Sequence, residues 1–140
     1  MKSGIITHDS ALQFILGGKA YFTFLNTKTE NRFTFKVTKH KVDNVYFVNV
    51  LTGPENYTFV GSIRDGRFKY SLKSKISNES QSVKVFAYVI DKLHSNNLPD
   101  IIEIYHDGRC GRCGHQLTTP ESVRIGIGPD CIKKLKFKFC

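Results

Sequence analysis

The chain has 140 residues, of which 40% are hydrophobic, 24% charged and 12% aromatic. This is the composition of one globular domain with a sizeable core, and it excludes collagen-like and disordered proteins. No apolar run approaches the ~18 residues of a membrane-spanning helix, and the first residues lack the apolar segment of a secretion signal, so we expect a cytoplasmic protein with no membrane contact.

The first half of the chain predicts a short helix followed by antiparallel strands. The helix begins at a cap formed by Asp9 or Ser10 and ends at two adjacent glycines. Apolar residues then alternate with Thr and Lys around Phe22 and Phe35, on either side of a polar loop, as is typical of half-buried strands. Further strands are expected over residues 45–51, 57–63 and 67–72, and an Asp65-Gly66 hairpin turn joins the last two.

The next segment predicts a helix that covers one side of the sheet. After a polar break at residues 77–80, apolar residues recur at helical spacing over about fifteen positions, namely Val83, Phe86, Ala87, Ile90 and Leu93. The helix ends before Pro99. A strand over residues 101–105 then returns to the sheet.

All four cysteines fall in the last part of the chain, at positions 110, 113, 131 and 140. Cytosolic thiols stay reduced, so a disulfide framework is not expected. The C-x-x-C-G turn at Cys110 and Cys113 predicts a zinc ligand pair, because its two-residue gap lets both sulfurs reach one ion. The redox alternative needs a helix after the motif, and the Gly, Thr and Pro residues there disfavour one. Cys131 follows a tight Gly-Pro turn and is the expected third ligand.

Three residues compete to be the fourth ligand. His106 ends the strand over residues 101–105, four positions before Cys110, and we favour it. Cys140 is at a terminus, where chain ends fray, and His115 lies on the turn itself, where its ring points away more easily. We therefore predict an α+β fold: an antiparallel meander of about five strands, one packing helix and a C-terminal zinc knuckle. Residues 1–105 form the α+β core, and residues 106–140 form a zinc-binding module packed on it as one compact unit.

The segment from His106 to Cys131 resembles a zinc-binding domain family of unknown function that is common in bacteriophage and prophage proteins. Its pattern is H-x-G-R-C-x-R-C-G-x-x-L-T-x-P-x-S, followed by G-x-G-P-x-C, and this chain departs from the family's usual Arg at His115. Upstream aromatic strands extend the resemblance to about residue 11. The resemblance implies a phage protein acting inside an infected bacterium, it supports His106 as a ligand, and it implies no reaction.

No catalytic motif accompanies the cysteines. The chain contains no H-E-x-x-H, G-x-S-x-G or phosphate-loop pattern. A zinc deaminase needs Glu two residues after its ligand His, and Gly108 occupies that position. We therefore expect one structural Zn²⁺ with a closed ligand set, as in a zinc finger, and no enzymatic activity.

The formal net charge of +9 indicates an acidic partner. Cations concentrate on the predicted strand and loop over residues 64–75, on the knuckle and in the tail. The residues that we expect to contact DNA or RNA are Arg67, Lys69, Lys73, Lys75, Arg109, Arg112, Lys133, Lys134, Lys136 and Lys138. The same charge suits two other interpretations: a solvated edge strand protected by lysines, or a modulator of an acidic host enzyme or defence factor. The sequence does not indicate an oligomeric state.

Overall fold

The computed structural model describes residues 5–40, 45–108 and 111. Within them, seven strands form one sheet in the order β1-β7-β2-β3-β4-β5-β6, with every neighbouring pair antiparallel. The elements in chain order are β1 (Ile5–Ile6), α1 (His8–Ile15), β2 (Lys19–Asn26), β3 (Arg32–Lys39), β4 (Val45–Gly53), β5 (Asn56–Arg64), β6 (Arg67–Tyr70), α2 (Gln81–His94) and β7 (Ile102–His106).

The predicted antiparallel meander is present as β2 to β6. Its register follows from the alternation of apolar and polar side chains, because apolar residues of neighbouring strands must face the same side. Phe22 accordingly pairs with Phe35. The Asp65-Gly66 turn is also as predicted: both residues have positive φ, 53° and 78°, which is the geometry of a two-residue hairpin of type I′.

The sheet has one strand more than the expected meander and the returning strand over residues 101–105. The predicted strand over residues 101–105 is β7. It lies between β1 and β2, the first strand of the meander. β1 was not predicted, because its two residues are too few to show an alternating pattern. β1 is a strand only because it pairs with β7, where Ile5 lies opposite Tyr105 and Ile6 opposite Ile104.

Both helices pack on the same side of the sheet and form the core there. The Phe86 ring of α2 lies 4.8–6.4 Å from four rings on three strands, those of Phe22 and Phe24 on β2, Phe35 on β3 and Phe68 on β6. Phe14 of α1 meets Phe22 at 6.1 Å, edge to face. The prediction of a single packing helix was therefore wrong, since Ala11, Phe14 and Ile15 of α1 are fully buried.

Three local predictions also differ from the structure. The residue before α1 is Thr7, not Asp9 or Ser10, and its side chain makes no capping hydrogen bond. On α2, Val89 is buried and Ala87 is only half-buried, because the buried stripe is turned toward Val89 and away from Ala87. β6 ends at Tyr70, so Leu72 is not an inward strand residue: it lies in a turn with 96% of its surface exposed.

The C-terminal module lies outside the described residues, apart from residues 106–108 and Gly111. The predicted zinc knuckle is therefore represented by its first residues only. Neither α1 nor α2 has the length and apolar character that a helix needs to traverse a bilayer.

Candidate metal centre and basic sheet surface

His106 occupies the last position of β7, on the same side of the sheet as the core. Alternation along β7 places Ile102, Ile104 and His106 on that side, and only 7% of His106 is exposed. Its ring centre lies 5.8 Å from that of Phe14. The predicted ligand is therefore fixed in the protein interior at the point where the chain leaves the sheet.

A tight turn follows His106. The backbone N–H of Gly108 donates to Nδ1 of His106 at 2.8 Å, and Gly108 has a φ of 92°, a region that favours glycine. Because Nδ1 accepts this hydrogen bond, the proton of the neutral ring is on Nε2. A metal ion that bound Nδ1 of His106 would displace the hydrogen bond from the Gly108 amide.

Gly111, which lies between the two cysteines of the C-x-x-C turn, is docked on the core. The Lys19 amide at the start of β2 donates to the Gly111 carbonyl at 2.8 Å. A side chain has no room there, because a Cβ on Gly111 would lie 2.6 Å from Cδ1 of Phe14. Phe14 thus contacts both His106 and Gly111.

The other predicted ligands, Cys110, Cys113 and Cys131, lie outside the described residues, as do the alternatives His115 and Cys140. Among the residues that the structure describes, no three potential metal ligands come together. The structure thus gives the position of one predicted ligand and of the residue between two others.

Four predicted nucleic-acid residues are described, and all four are exposed around the edge of the sheet. Arg67 and Lys69 lie on β6, and Lys73 and Lys75 lie in the loop that follows it. That loop folds back on β5, since the Ser74 hydroxyl donates to the Phe59 carbonyl at 2.8 Å. The remaining six predicted residues are outside the described part of the chain: Arg109, Arg112, Lys133, Lys134, Lys136 and Lys138.

Arg64 belongs to the same surface, although the sequence analysis did not select it. It pairs directly with Arg67 across the hairpin, and Ser62 pairs with Lys69. The Arg64 Nε donates to the Ser62 hydroxyl at 3.3 Å, which lays the guanidinium along the strand. We call Arg64, Arg67 and Lys69 the basic hairpin. The sequence could have indicated Arg64, because a two-residue turn at Asp65-Gly66 places Arg64 opposite Arg67.

The basic hairpin is supported from the other side of the sheet. Phe68 and Tyr70 alternate with its cations and pack against the core. The Nε2 of His94, at the end of α2, donates to the carbonyl of Gly66 in the hairpin turn. The hairpin is thus attached to a helix, and its cations face away from that helix.

The side of the sheet opposite the helices carries aromatic residues that the sequence analysis did not interpret. Phe47 of β4 and Phe59 of β5 meet edge to face at 6.0 Å. Tyr21 and Tyr57 meet at 5.8 Å, and the Lys36 Nζ lies 5.8 Å from each ring. The sequence could have revealed these rings, because the alternating pattern of each strand predicts which residues face outward, and these include aromatic residues as well as Thr and Lys.

The C-terminal part of the chain matches one family model. The model is described as a family of unknown function (DUF6011), and residues 103–136 match it, about a quarter of the chain. The matched segment contains His106, Cys110, Cys113 and Cys131 and ends before Cys140. It does not include the upstream strands for which a resemblance was predicted. No curated protein and no solved structure matches the chain.

Proposed function

We propose that the protein is a small zinc-binding accessory protein that binds nucleic acid through the basic hairpin. The observation that carries this proposal is the alignment of Arg64, Arg67 and Lys69 on one side of a rigid edge hairpin. Three exposed cations at neighbouring positions form a phosphate-binding surface, because successive phosphates of a nucleic acid can each meet one cation. Lys73 and Lys75 extend the surface along the loop that packs on β5.

A salt-dependence experiment tests this function. Binding of labelled DNA and RNA is measured by fluorescence anisotropy at about 50 and about 200 mM salt, because released counterions make phosphate contacts salt-dependent. For the triple variant R64Q/R67Q/K69Q, we expect weaker binding and a salt slope that is shallower by about 3.

A matched control removes the same charge elsewhere. Lys28, Lys84 and Lys92 lie in the β2–β3 loop and on α2, on elements other than the basic hairpin. The triple variant K28Q/K84Q/K92Q should bind nearly as tightly as the wild type. Absence of binding at low salt, or equal losses in the two triple variants, would show that the proposed surface is wrong.

We further propose that one structural Zn²⁺ is held by His106, Cys110, Cys113 and Cys131. Burial of His106 at the end of β7 and docking of Gly111 on Phe14 support this assignment, because they bring His106 and a residue between Cys110 and Cys113 to one core residue. Bound zinc would stabilise a C-terminal segment too short to build a core alone. From the phage-like resemblance we infer that the protein acts in an infected bacterial cell.

One observation favours a second function, in which the protein modulates a host protein. Leu72 is 96% exposed and adjoins the exposed Lys73, so an apolar and a basic group protrude together from one turn. Such a pair suits an acidic protein surface with an apolar pocket. Capture of a host protein by the wild type, lost in Leu72→Ser while nucleic-acid binding is unchanged, would favour this function.

A further inference from the structure

The side of the sheet opposite the helices exposes two phenylalanines beside the basic hairpin. Phe47 and Phe59 are half-buried, and neither belongs to the hydrophobic core cluster of the described residues. Both α1 and α2 pack against the other side, where Phe86 contacts the inward rings. We call the outward surface of β3 to β6 the open face.

A β-bulge creates this arrangement. The register of β4 and β5 shifts between Val48 and Asn49, which leaves Val60 as an extra residue in β5. Phe59 and Ser62 therefore both pair with outward residues of β4, although they are three positions apart. In a regular strand, residues three positions apart face opposite sides, so without the bulge one of them would point into the core.

Polar side chains flank each ring in the strand register. Phe47 lies between Thr38 of β3 and Ser62 of β5. Phe59 lies beside Asn49 of β4. Hydroxyl and amide groups can both donate and accept hydrogen bonds, which suits base edges and also the 2′-hydroxyl of ribose.

The charge of the open face is entirely positive. Lys36 pairs with Asn49, and the basic hairpin borders Phe47 and Phe59 at the edge of the sheet. No outward position of β3, β4, β5 or β6 holds an Asp or a Glu; Glu55 and Asp65 lie in the turns that join β4 to β5 and β5 to β6. The open face therefore complements a polyanion that also carries flat apolar groups.

From this geometry we propose that the open face binds single-stranded RNA. Bases stack on Phe47 and Phe59, and the backbone phosphates follow the basic hairpin. Thr38 and Asn49, both half-buried, contact the ribose hydroxyls and base edges. A duplex does not fit this chemistry, because its bases are stacked on each other and their faces are hidden. The inference rests on the proposed nucleic-acid binding and assigns its ligand.

The test compares three oligonucleotides of one sequence, about 12 nucleotides long: single-stranded RNA, single-stranded DNA and duplex RNA. The variant F47L/F59L keeps apolar side chains on the open face but removes both aromatic rings. Each lost stacking contact weakens single-strand binding about 5- to 150-fold, so we expect at least a 5-fold loss for single-stranded RNA. Duplex binding should change little, and DNA should bind more weakly than RNA.

The matched control is Phe33→Leu, which removes a half-buried ring from the inward side of β3. It should bind all three oligonucleotides as the wild type does, and cooperative thermal unfolding of each variant verifies its fold. Unchanged RNA binding in F47L/F59L, while R64Q/R67Q/K69Q still binds weakly, would overturn the stacking site alone. Equal binding of DNA and RNA would overturn the assignment to RNA, and unchanged binding in R64Q/R67Q/K69Q would overturn the proposed function itself.

Discussion

The backbone amide of Lys19 donates a 2.8 Å hydrogen bond to the carbonyl of Gly111. This bond joins the first residue of β2 to the turn between the two predicted zinc ligands Cys110 and Cys113. Gly111 has no side chain at this contact, and its α-carbon is so close to Phe14 that a Cβ would lie 2.6 Å from Cδ1 of that ring. Gly111 is therefore attached to the sheet through contacts that involve no metal ligand.

We first predict that Gly111→Ala detaches this turn from the core. The added Cβ would lie 2.6 Å from Cδ1 and 2.8 Å from the carbonyl oxygen of Phe14, so the backbone must move. Overpacking of this kind costs about 1–3 kcal/mol. Urea unfolding should report that loss, and a chelator should remove zinc faster than from the wild type. Equal stability and equal release rates would contradict the docking.

The second prediction concerns the ligand set. Metal analysis of the purified wild type should find one zinc per chain, and His106→Ala should lower that content or weaken zinc retention. Cys140→Ser and His115→Ala should retain the metal, because neither residue belongs to the proposed set. If Cys140→Ser loses zinc while His106→Ala keeps it, Cys140 is the fourth ligand and the proposed set is wrong.

The third prediction is that Gly61→Ala disrupts the edge of the sheet. At Gly61 the strands β5 and β6 approach so closely that a Cβ would lie 2.3 Å from the carbonyl oxygen of Lys69. Because that oxygen belongs to the backbone, β6 and its cations must shift. We expect a loss of about 1–3 kcal/mol in the free energy of unfolding, with weaker nucleic-acid binding.

Gly53→Ala is the control for this change. The nearest atom to a Cβ at Gly53 is the Asn56 Cβ at 3.8 Å, an ordinary van der Waals contact. Unfolding and binding should therefore remain close to those of the wild type. A similar loss of stability in both variants would mean that the close approach at Gly61 is not the cause.

The fourth prediction concerns alkaline stability. Burial raises the pKa of the Tyr46 phenol above its ordinary value of 10.0. The folded protein then holds this proton more tightly than the unfolded chain, so Tyr46 has no effect on pH dependence below pH ~10. As the pH rises from there through the folded pKa, the unfolded chain ionises first and stability is lost.

Urea unfolding at pH ~8 and pH ~11 measures this effect. Tyr46→Phe should lose less stability between the two pH values than the wild type. Tyr88→Phe removes an exposed phenol and should lose as much as the wild type. If both variants follow the wild type, Tyr46 does not contribute to alkaline destabilisation.

Much of the fold could be predicted because its signals are local. Alternation around Phe22 and Phe35 predicts paired strands, and Asp-Gly at positions 65 and 66 predicts the hairpin turn that the structure contains. The errors occur where a local pattern ends or is too short. β1 has two residues, and Leu72 continues the alternation of β6 only in sequence, because β6 ends two residues earlier.

The sequence by itself determined the period of the longer strands and of both helices, the hairpin turn, the cysteine spacing and the strong positive charge. These depend on neighbouring residues, so local chemistry is sufficient to predict them. Only the tertiary structure decided that β7 inserts beside β2, that Phe14 contacts both His106 and Gly111, and that the bulge at Val60 turns Phe59 outward. Strand order and register depend on pairings between distant residues, and a shift of one residue reverses which side chains face the core.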